Sequence, residues 1–483
     1  MDAIKLIMDL FGPAIIVPTV VFILSLFLKV EVKQAFRGAL FMGIGLTAFG
    51  IILGALMGSL APIVSEMVTN TGINLPTIDV GWPAAAMIVY ANHLGMLYLV
   101  LGLGFNLVLF LTKYTDTFQP TDIWNYYQFV FWAIVVQVAT GNFWLGIIAA
   151  MFMNLIILFV ADWLAPSLQE YYGYEGVTST CAAPIMCAPF AVIVKWILMK
   201  TKIHEIKVNP EEIRRKFGFW GEPVIMGLLI GFIIAALAKF SQLGSLGTWS
   251  IVLNTAIVTG AVMVLYPAVS GLFVKGLIPI SQTMNTRLRK GELKRKKFNI
   301  GIDPAIFFGE SATLTTGLLL IPIILLLSIF MPGNNTVPLA DLPAMPFMVI
   351  GIIAVMRGNI LSAAIAGIIW YMFGNWVNSD ITAIFTQAAV AAGVDIPAGG
   401  TMITAWSIAV SPIFWAVYKA FSAPEGIRIF TIILSFAVYF VLFYMFKTNQ
   451  KTWHKAADAS EEFLNQKYGE EAANKTDGTS VSS

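Results

Sequence analysis

Glu310 stands in Phe307-Phe308-Gly309-Glu310-Ser311, close behind Asp303-Pro304 and directly ahead of a long uncharged run. Other polar residues sit inside or at the edge of apolar runs. His93 follows Asn92 within residues 84–112, Asn125 and Gln128 head the run 123–161, and Asp79 precedes Trp82-Pro83. Ser179 and Thr180 lie in the hydroxyl-rich stretch Thr178-Ser179-Thr180-Cys181-Ala182-Ala183-Pro184. Ionisable groups inside an apolar run are costly to keep, and each is a candidate for function. Each also has a structural reading. Glu310 and Asp303 could cap helices, His93 could bond a neighbouring helix, Asn125 and Gln128 could form an interfacial belt, and Asp79 could cap a helix or close an outer gate. Taken as one set, amides, hydroxyls, a His and a few carboxylates suit a polyhydroxylated ligand. Carboxylates accept from its hydroxyls, and amides both donate and accept. No G-x-x-x-x-G-K-[ST] loop is present, so the chain carries no ATP motor of that kind. No H-E-x-x-H and no dense Cys/His cluster point to a metal, and no cofactor is expected.

The elements that must position these residues are transmembrane. The chain has 483 residues, 58% hydrophobic and 12% charged, with mean hydropathy +0.81. Soluble domains carry about 25% charged residues, so the expected fold class is an all-α polytopic membrane protein. The 13 Trp and 35 Phe suit membrane interfaces and lipid-facing surface. A net charge of +2, spread over loops, gives no nucleic-acid signal. Cys181 and Cys187 lie in an apolar stretch and read as free thiols, because a disulfide needs an oxidising aqueous compartment. The first apolar run lacks a basic leader and a small-residue cleavage site, so no signal peptide is expected.

Two basic blocks anchor the topology. One is Lys200, Lys202, Lys207, Arg214, Arg215 and Lys216; the other is Arg287, Arg289, Lys290, Lys294, Arg295, Lys296 and Lys297. Short basic loops stay cytoplasmic, so the stretch between the blocks crosses twice. Counting outward at roughly 20 apolar residues per span gives about eleven spans, N-terminus outside and C-terminus cytoplasmic. Parity fails at residues 176–194, an apolar stretch that leads straight into a cytoplasmic block. A re-entrant hairpin restores it, since broken backbone at membrane depth is tolerated where protein or a cavity satisfies it. A second hairpin is expected near residues 397–418.

The halves correspond. Thr140-Gly141-Asn142-Phe143 recurs as Arg357-Gly358-Asn359-Ile360, Asp79 as Asp303, and Thr178…Pro189 as Thr401…Pro412. The order matches and the charge-derived orientation flips. This predicts an inverted repeat of residues 1–199 and 221–446, a basic linker at 200–220 and a polar tail at 447–483, whose end at 470–483 reads as disordered. Inverted repeats with broken helices mark secondary transporters, with the substrate near the midplane.

At this point the motifs resemble a family. Asp79-Val80-Gly81-Trp82-Pro83, Asp122-Ile123-Trp124-Asn125, Ala139-Thr140-Gly141-Asn142, the run from Arg215 to Pro223, and Ile300-Gly301-Ile302-Asp303-Pro304-Ala305 resemble the galactitol-type enzyme IIC. That is the membrane permease of a phosphoenolpyruvate-dependent sugar phosphotransferase system. The resemblance runs from about Phe11 to Phe446. It implies a bacterial inner-membrane homodimer with a dimerising scaffold and a mobile core that moves like an elevator. It also implies separate IIA and IIB proteins that relay phosphate, with no catalytic residue in this chain. Where the pattern carries His residues, this chain has Cys181, Glu310 and Gln128. Galactitol, another hexitol, a pentitol or a related sugar therefore all fit. The resemblance and the residues together give a ligand set of Asp79, Asn92, His93, Asn125, Gln128, Ser179, Thr180, Asp303 and Glu310. The cationic residues Arg214, Arg215, Lys216, Arg289, Lys290, Arg295 and Lys296 form a docking face for phosphorylated IIB. Two alternatives stay open: an ion-coupled transporter using Glu310, Asp303 and His93 as a proton relay, and a membrane-embedded enzyme.

Overall fold

The computed structural model of the chain describes residues 10–11, 13–71, 75–289, 297–397 and 401–468. Among them, eight helices are long and apolar enough to cross a membrane, and three shorter apolar helices lie beside them. The chain is thus a multi-pass, nearly all-α protein.

Helix ends follow local chemistry. The break at Gly141-Asn142 is a left-handed C-cap, Gly141 with φ 66°, followed by an N-cap. Asn142 there accepts from the backbone N–H of Leu145 at 3.0 Å. The second break varies the device: Arg357 is the left-handed C-cap with φ 50°, Gly358 follows with φ 71°, and Asn359 accepts from Ser362 N–H at 3.2 Å. Glycine tolerates the left-handed conformation, and Asn satisfies an orphan donor of the next helix. Two spans differ from the expectation. Residues 84–112 form two helices, Trp82–Ala91 and His93–Leu111, because Asn92 turns out of the helix and caps the second one. The uncharged run after residue 240 continues as a single 44-residue helix, Leu246–Arg289, despite Pro267 and Pro279.

Six short strands interrupt the described helices: β1 Thr77–Asp79, β2 Thr117–Phe118, β3 Val177–Ser179, β4 Asn299–Ile302, β5 Thr336–Val337 and β6 Met402–Thr404. They form two parallel three-stranded sheets, ordered β5-β1-β6 and β2-β4-β3. Each central strand comes from one half of the chain and both its neighbours from the other. Thr77 faces Thr336 and Met402, and Ile300 faces Phe118 and Val177. The expected hairpin at 176–194 is β3, a single turn Ala182–Ile185 and the helix Ala188–Lys200. The second, described from residue 401, is β6, a single turn Trp406–Ala409 and the helix Pro412–Phe421.

Helices Pro13–Phe27, Val32–Thr71, Pro223–Ala238 and Leu246–Arg289 pack on one another as a separate group. Close approach there needs small residues: a Cβ on Gly231 would meet Thr259 Oγ1 at 2.5 Å. Among its contacts with the rest, Phe49 and Tyr266 of this group meet Phe308, the three ring centroids lying 4.2–5.5 Å apart. The segment after Thr448 folds back on the body. Trp453 lies 5.0 Å from Trp163, and Asp458 pairs with Lys195 at 2.5 Å. The expected tail end at 470–483 lies outside the described residues, as do Lys290, Arg295 and Lys296.

One carboxylate ties the first sheet to its surroundings. Asp79 accepts from the backbone N–H groups of Gly81, Ala340, Asp341 and Trp406 at 3.0–3.1 Å. Asp79→Ala leaves these donors unpaired in the interior, each costing about 1–3 kcal/mol. We expect a markedly lower melting temperature in detergent and reduced yield, with Asp79→Asn intermediate; an unchanged melting curve would show that the clasp is dispensable.

Candidate functional site

The site starts from the break between β2 and the helix Tyr127–Thr140. Pro120 opens a short 3-10 segment that carries Asp122, Trp124 and Asn125 into the interior, and Gln128 follows one turn later. Asn125 Nδ2 donates to Asp122 Oδ1 at 2.7 Å and to Asp303 Oδ2 at 2.9 Å. One amide therefore joins a carboxylate from each half of the chain. Asp303 Oδ1 accepts from Ala305 N–H at 2.8 Å, just beyond β4. Asp122 Oδ2 accepts from Thr180 Oγ1 at 2.9 Å, which ties in the tip of the first hairpin. Gln128 Oε1 accepts from Ala183 N–H in the same hairpin at 2.8 Å. With its amide oxygen held there, Gln128 turns its NH2 group toward Asn125 Oδ1, at 3.5 Å.

These groups open onto a cavity of about 210 Å³, where one water needs only roughly 10–15 Å³. Asn125, Gln128 and Asp303 supply its polar wall, with Ser407 from the second hairpin. Trp82, Trp124 and Tyr127 supply aromatic wall, and Leu46, Phe49 and Leu53 of the helix Val32–Thr71 close the far side. The aromatic rings brace one another: Trp82 to Tyr127 at 6.1 Å, Tyr90 to Trp124 at 5.4 Å. No Lys, Arg or His is among the described residues lining the cavity. The wall offers acceptors and one amide donor on one side, and flat rings and aliphatic side chains over the rest.

The structure brings Asn125, Gln128 and Asp303 to the cavity wall, with Thr180 behind them on Asp122. Ser179 is buried in β3 and accepts from Cys181 N–H at 3.3 Å. Asp79 sits at the first sheet, bonded to four backbone N–H groups. Asn92 caps the helix His93–Leu111, and His93 is exposed at its first position. Glu310 caps the helix Ser311–Phe330: Oε1 accepts from Ala312 N–H and Oε2 from Thr313 N–H and Thr313 Oγ1, all at 2.8 Å. None of these five lines the cavity. Asp122, Trp82, Trp124, Tyr127 and Ser407 were not in the expected ligand set. Asp122 was visible in the motif Asp122-Ile123-Trp124-Asn125; Ser407 carried no local signal, because only long-range packing brings the second hairpin here. Of the docking residues, Arg214, Arg215 and Lys216 are exposed on the short helix Pro210–Phe217, with Arg215 paired to Glu212 at 2.5 Å. Arg289 ends the helix Leu246–Arg289, and the remaining three lie outside the described residues.

Comparison with known proteins follows the geometry. The family EIIC-GAT, described as the PTS system sugar-specific permease component, matches residues 6–399. The galactitol-specific EIIC component of the PTS system in Escherichia coli (strain K12) is 31% identical over 94% of this chain and 96% of its own length. A putative permease IIC component of the same strain is 30% identical over 82% of this chain and 89% of its own.

The cap at Glu310 gives a clean test. Glu310→Ala removes acceptors for two first-turn donors and should cost about 1 kcal/mol, read as a lowered melting temperature. Glu310→Gln keeps an acceptor and should recover most of the loss; equal damage from both would point to a role for the charge itself.

Proposed function

The chain belongs to the EIIC-GAT family, the sugar-specific permease components of the phosphotransferase system, and on that footing we propose that it carries galactitol or a closely related polyol. The observation that carries this reading is the cavity built from Asn125, Gln128 and Asp303 with the rings of Trp82, Trp124 and Tyr127. Asp303 and Asn125 Oδ1 accept from ligand hydroxyls, Gln128 Nε2 donates, and the rings cover the carbon chain. Asp79, Asn92, Ser179, Thr180 and Glu310 hold the frame around that ligand, and His93 stands outside it. A separate IIB protein, itself phosphorylated by IIA, transfers phosphate to the polyol on the cytoplasmic side.

The two halves are an inverted repeat. The interlocked sheets support this reading, since each draws its centre from one half and its edges from the other. The four helices around Val32–Thr71 are a scaffold that pairs two copies into a homodimer, and the remainder is a core that shifts past it like an elevator. The rings of Phe49, Tyr266 and Phe308 suit such a boundary, because flat apolar contact has few directional bonds to break. The hairpins are re-entrant, the N-terminus is outside and the C-terminus cytoplasmic, in a bacterial inner membrane. The exposed cations Arg214, Arg215 and Lys216, together with the basic run that begins at Arg289 in the sequence, attract phosphorylated IIB.

Hydrogen bonds to a charged group contribute roughly 1.5–3 kcal/mol each, and about 1.4 kcal/mol is one decade of affinity. Asp303→Asn and Gln128→Ala should therefore weaken polyol binding by about ten- to a hundredfold in calorimetry while the protein stays folded. Vesicles supplied with IIA and IIB should deliver phosphorylated polyol; accumulation of unmodified polyol on an ion gradient would reject the phosphotransferase coupling.

Single cysteines replacing Lys207 and Lys297 should label from the same side of the membrane. Charge neutralisation at Arg214, Lys216, Arg289 and Lys290 should slow coupled phosphorylation most at low salt, since steering by exposed charge is screened. Opposite-side labelling would break the topology, and an unchanged rate would remove the docking role.

A further inference from the structure

The cavity's polar wall holds one carboxylate, Asp303, with a second, Asp122, directly behind it through Asn125, and no described cation lines it. Both oxygens of each carboxylate act as acceptors: Asp122 from Asn125 and Thr180, Asp303 from Asn125 and Ala305. Ionised carboxylates are acceptor-only, and this bonding is the pattern they need. Neither residue forms an ion pair among the described residues. Asn125 gives one amide proton to each, so it holds two acidic groups side by side with no ion pair between them and a described cation. Lone pairs remain on both carboxylates, and Asp303 faces the cavity directly.

We propose that the Asp122–Asn125–Asp303 group is a charge filter that admits the neutral polyol and rejects its phosphate monoester. The inference rests on the reading of this cavity as the polyol site. A phosphate monoester carries a charge of about −1.5 to −2 at neutral pH. Inside the protein, away from bulk water, like charges a few ångströms apart repel far more strongly than in solution. Before phosphorylation, the carboxylates attract the ligand by accepting its hydroxyls. After phosphorylation, the same carboxylates oppose it. The product leaves the site and cannot readily re-enter, so the cavity favours forward passage. The anchoring matters as much as the charge. Were Asn125 absent, the two carboxylates could turn apart or one could take up a proton. Its paired hydrogen bonds fix both as acceptors beside the ligand.

The test uses the full chain in nanodiscs and calorimetric affinities. Galactitol and a panel of other hexitols and pentitols identify the polyol bound most tightly, and the phosphate monoester of that polyol is then the second probe. The wild-type protein should bind the monoester at least about a hundredfold more weakly than the polyol, in line with strong repulsion at low dielectric. Asp122→Asn, behind the wall, and Asp303→Asn, on it, should each narrow that gap by about tenfold, with melting curves verifying that both are folded. Gln128→Ala serves as the control for location: it should weaken the polyol and leave the polyol-to-monoester ratio in place. Equal wild-type affinity for polyol and monoester overturns the filter and leaves the binding site standing. An undiminished gap in both Asn variants also overturns it, because rejection would then be steric. Polyol binding indifferent to Gln128→Ala, or no binding by any polyol, overturns the assignment of the cavity and the filter with it.

Discussion

Interrupted backbone inside an apolar environment must find hydrogen-bond partners, and this constraint organises the molecule. An intact helix satisfies its own N–H and C=O groups; a broken one leaves several exposed at each end, and lipid offers no replacement. This chain breaks its helices repeatedly, at Gly141, Asn92, Gly309 and Gly358 and at both hairpins. Asn92, Asn142, Glu310 and Asn359 each cap the helix that restarts. The strands β1 and β4 cross between halves and pair with neighbours on both sides, so the longest non-helical stretches are bonded as small parallel sheets. These sheets then fix where the hairpin tips lie. Ala183 of the first tip and Ser407 and Ile408 of the second line the same cavity.

The two sheets end in similar chemistry put to different uses. Past β1, Asp79 and the nearby Asp341 spend their oxygens mostly on backbone: Trp82, Ser407, Gly81, Ala340 and Trp406 all donate to one or the other. Past β4, Asp303 meets one backbone donor and the amide of Asn125. The first pair is a joint that locks the second hairpin to the body. The second pair keeps acceptor capacity beside open space. A carboxylate at a helix break is thus bound up in backbone or left facing a cavity according to how many backbone donors surround it.

The segment after Thr448 adds a tie that hydropathy does not suggest. Arg357, held at φ 50° in the break before Asn359, pairs with Glu170 at 2.6 Å and with Asp458 at 3.3 Å. Asp458 also reaches Lys195 on the helix Ala188–Lys200. The tail therefore joins the end of the helix Phe143–Tyr172, the break at Arg357 and the first hairpin. Ion pairs of this partly buried kind contribute modestly to stability, yet their placement fixes three elements that meet nowhere else in sequence.

Much of the architecture was legible in the sequence because its signals are local. Runs of apolar residues mark helices that must cross lipid, blocks of Lys and Arg mark where those runs end, and Gly-Asn pairs mark the stops and restarts. The hairpins showed themselves as Pro and hydroxyl residues in otherwise apolar stretches. Asn125, Gln128 and Asp303 stood out because polar groups are costly there. What the sequence could not settle was which polar residues share a site. Glu310 and Asp79 look, residue by residue, as eligible as Asp303; capping and the backbone clasp are properties of neighbours far along the chain. The strands are two to four residues long, too short for alternation to show, and their partners lie more than a hundred residues away. Local composition determined the helices and their breaks. Only tertiary packing decided which breaks face one another, because that depends on pairing backbone groups from opposite halves of the chain.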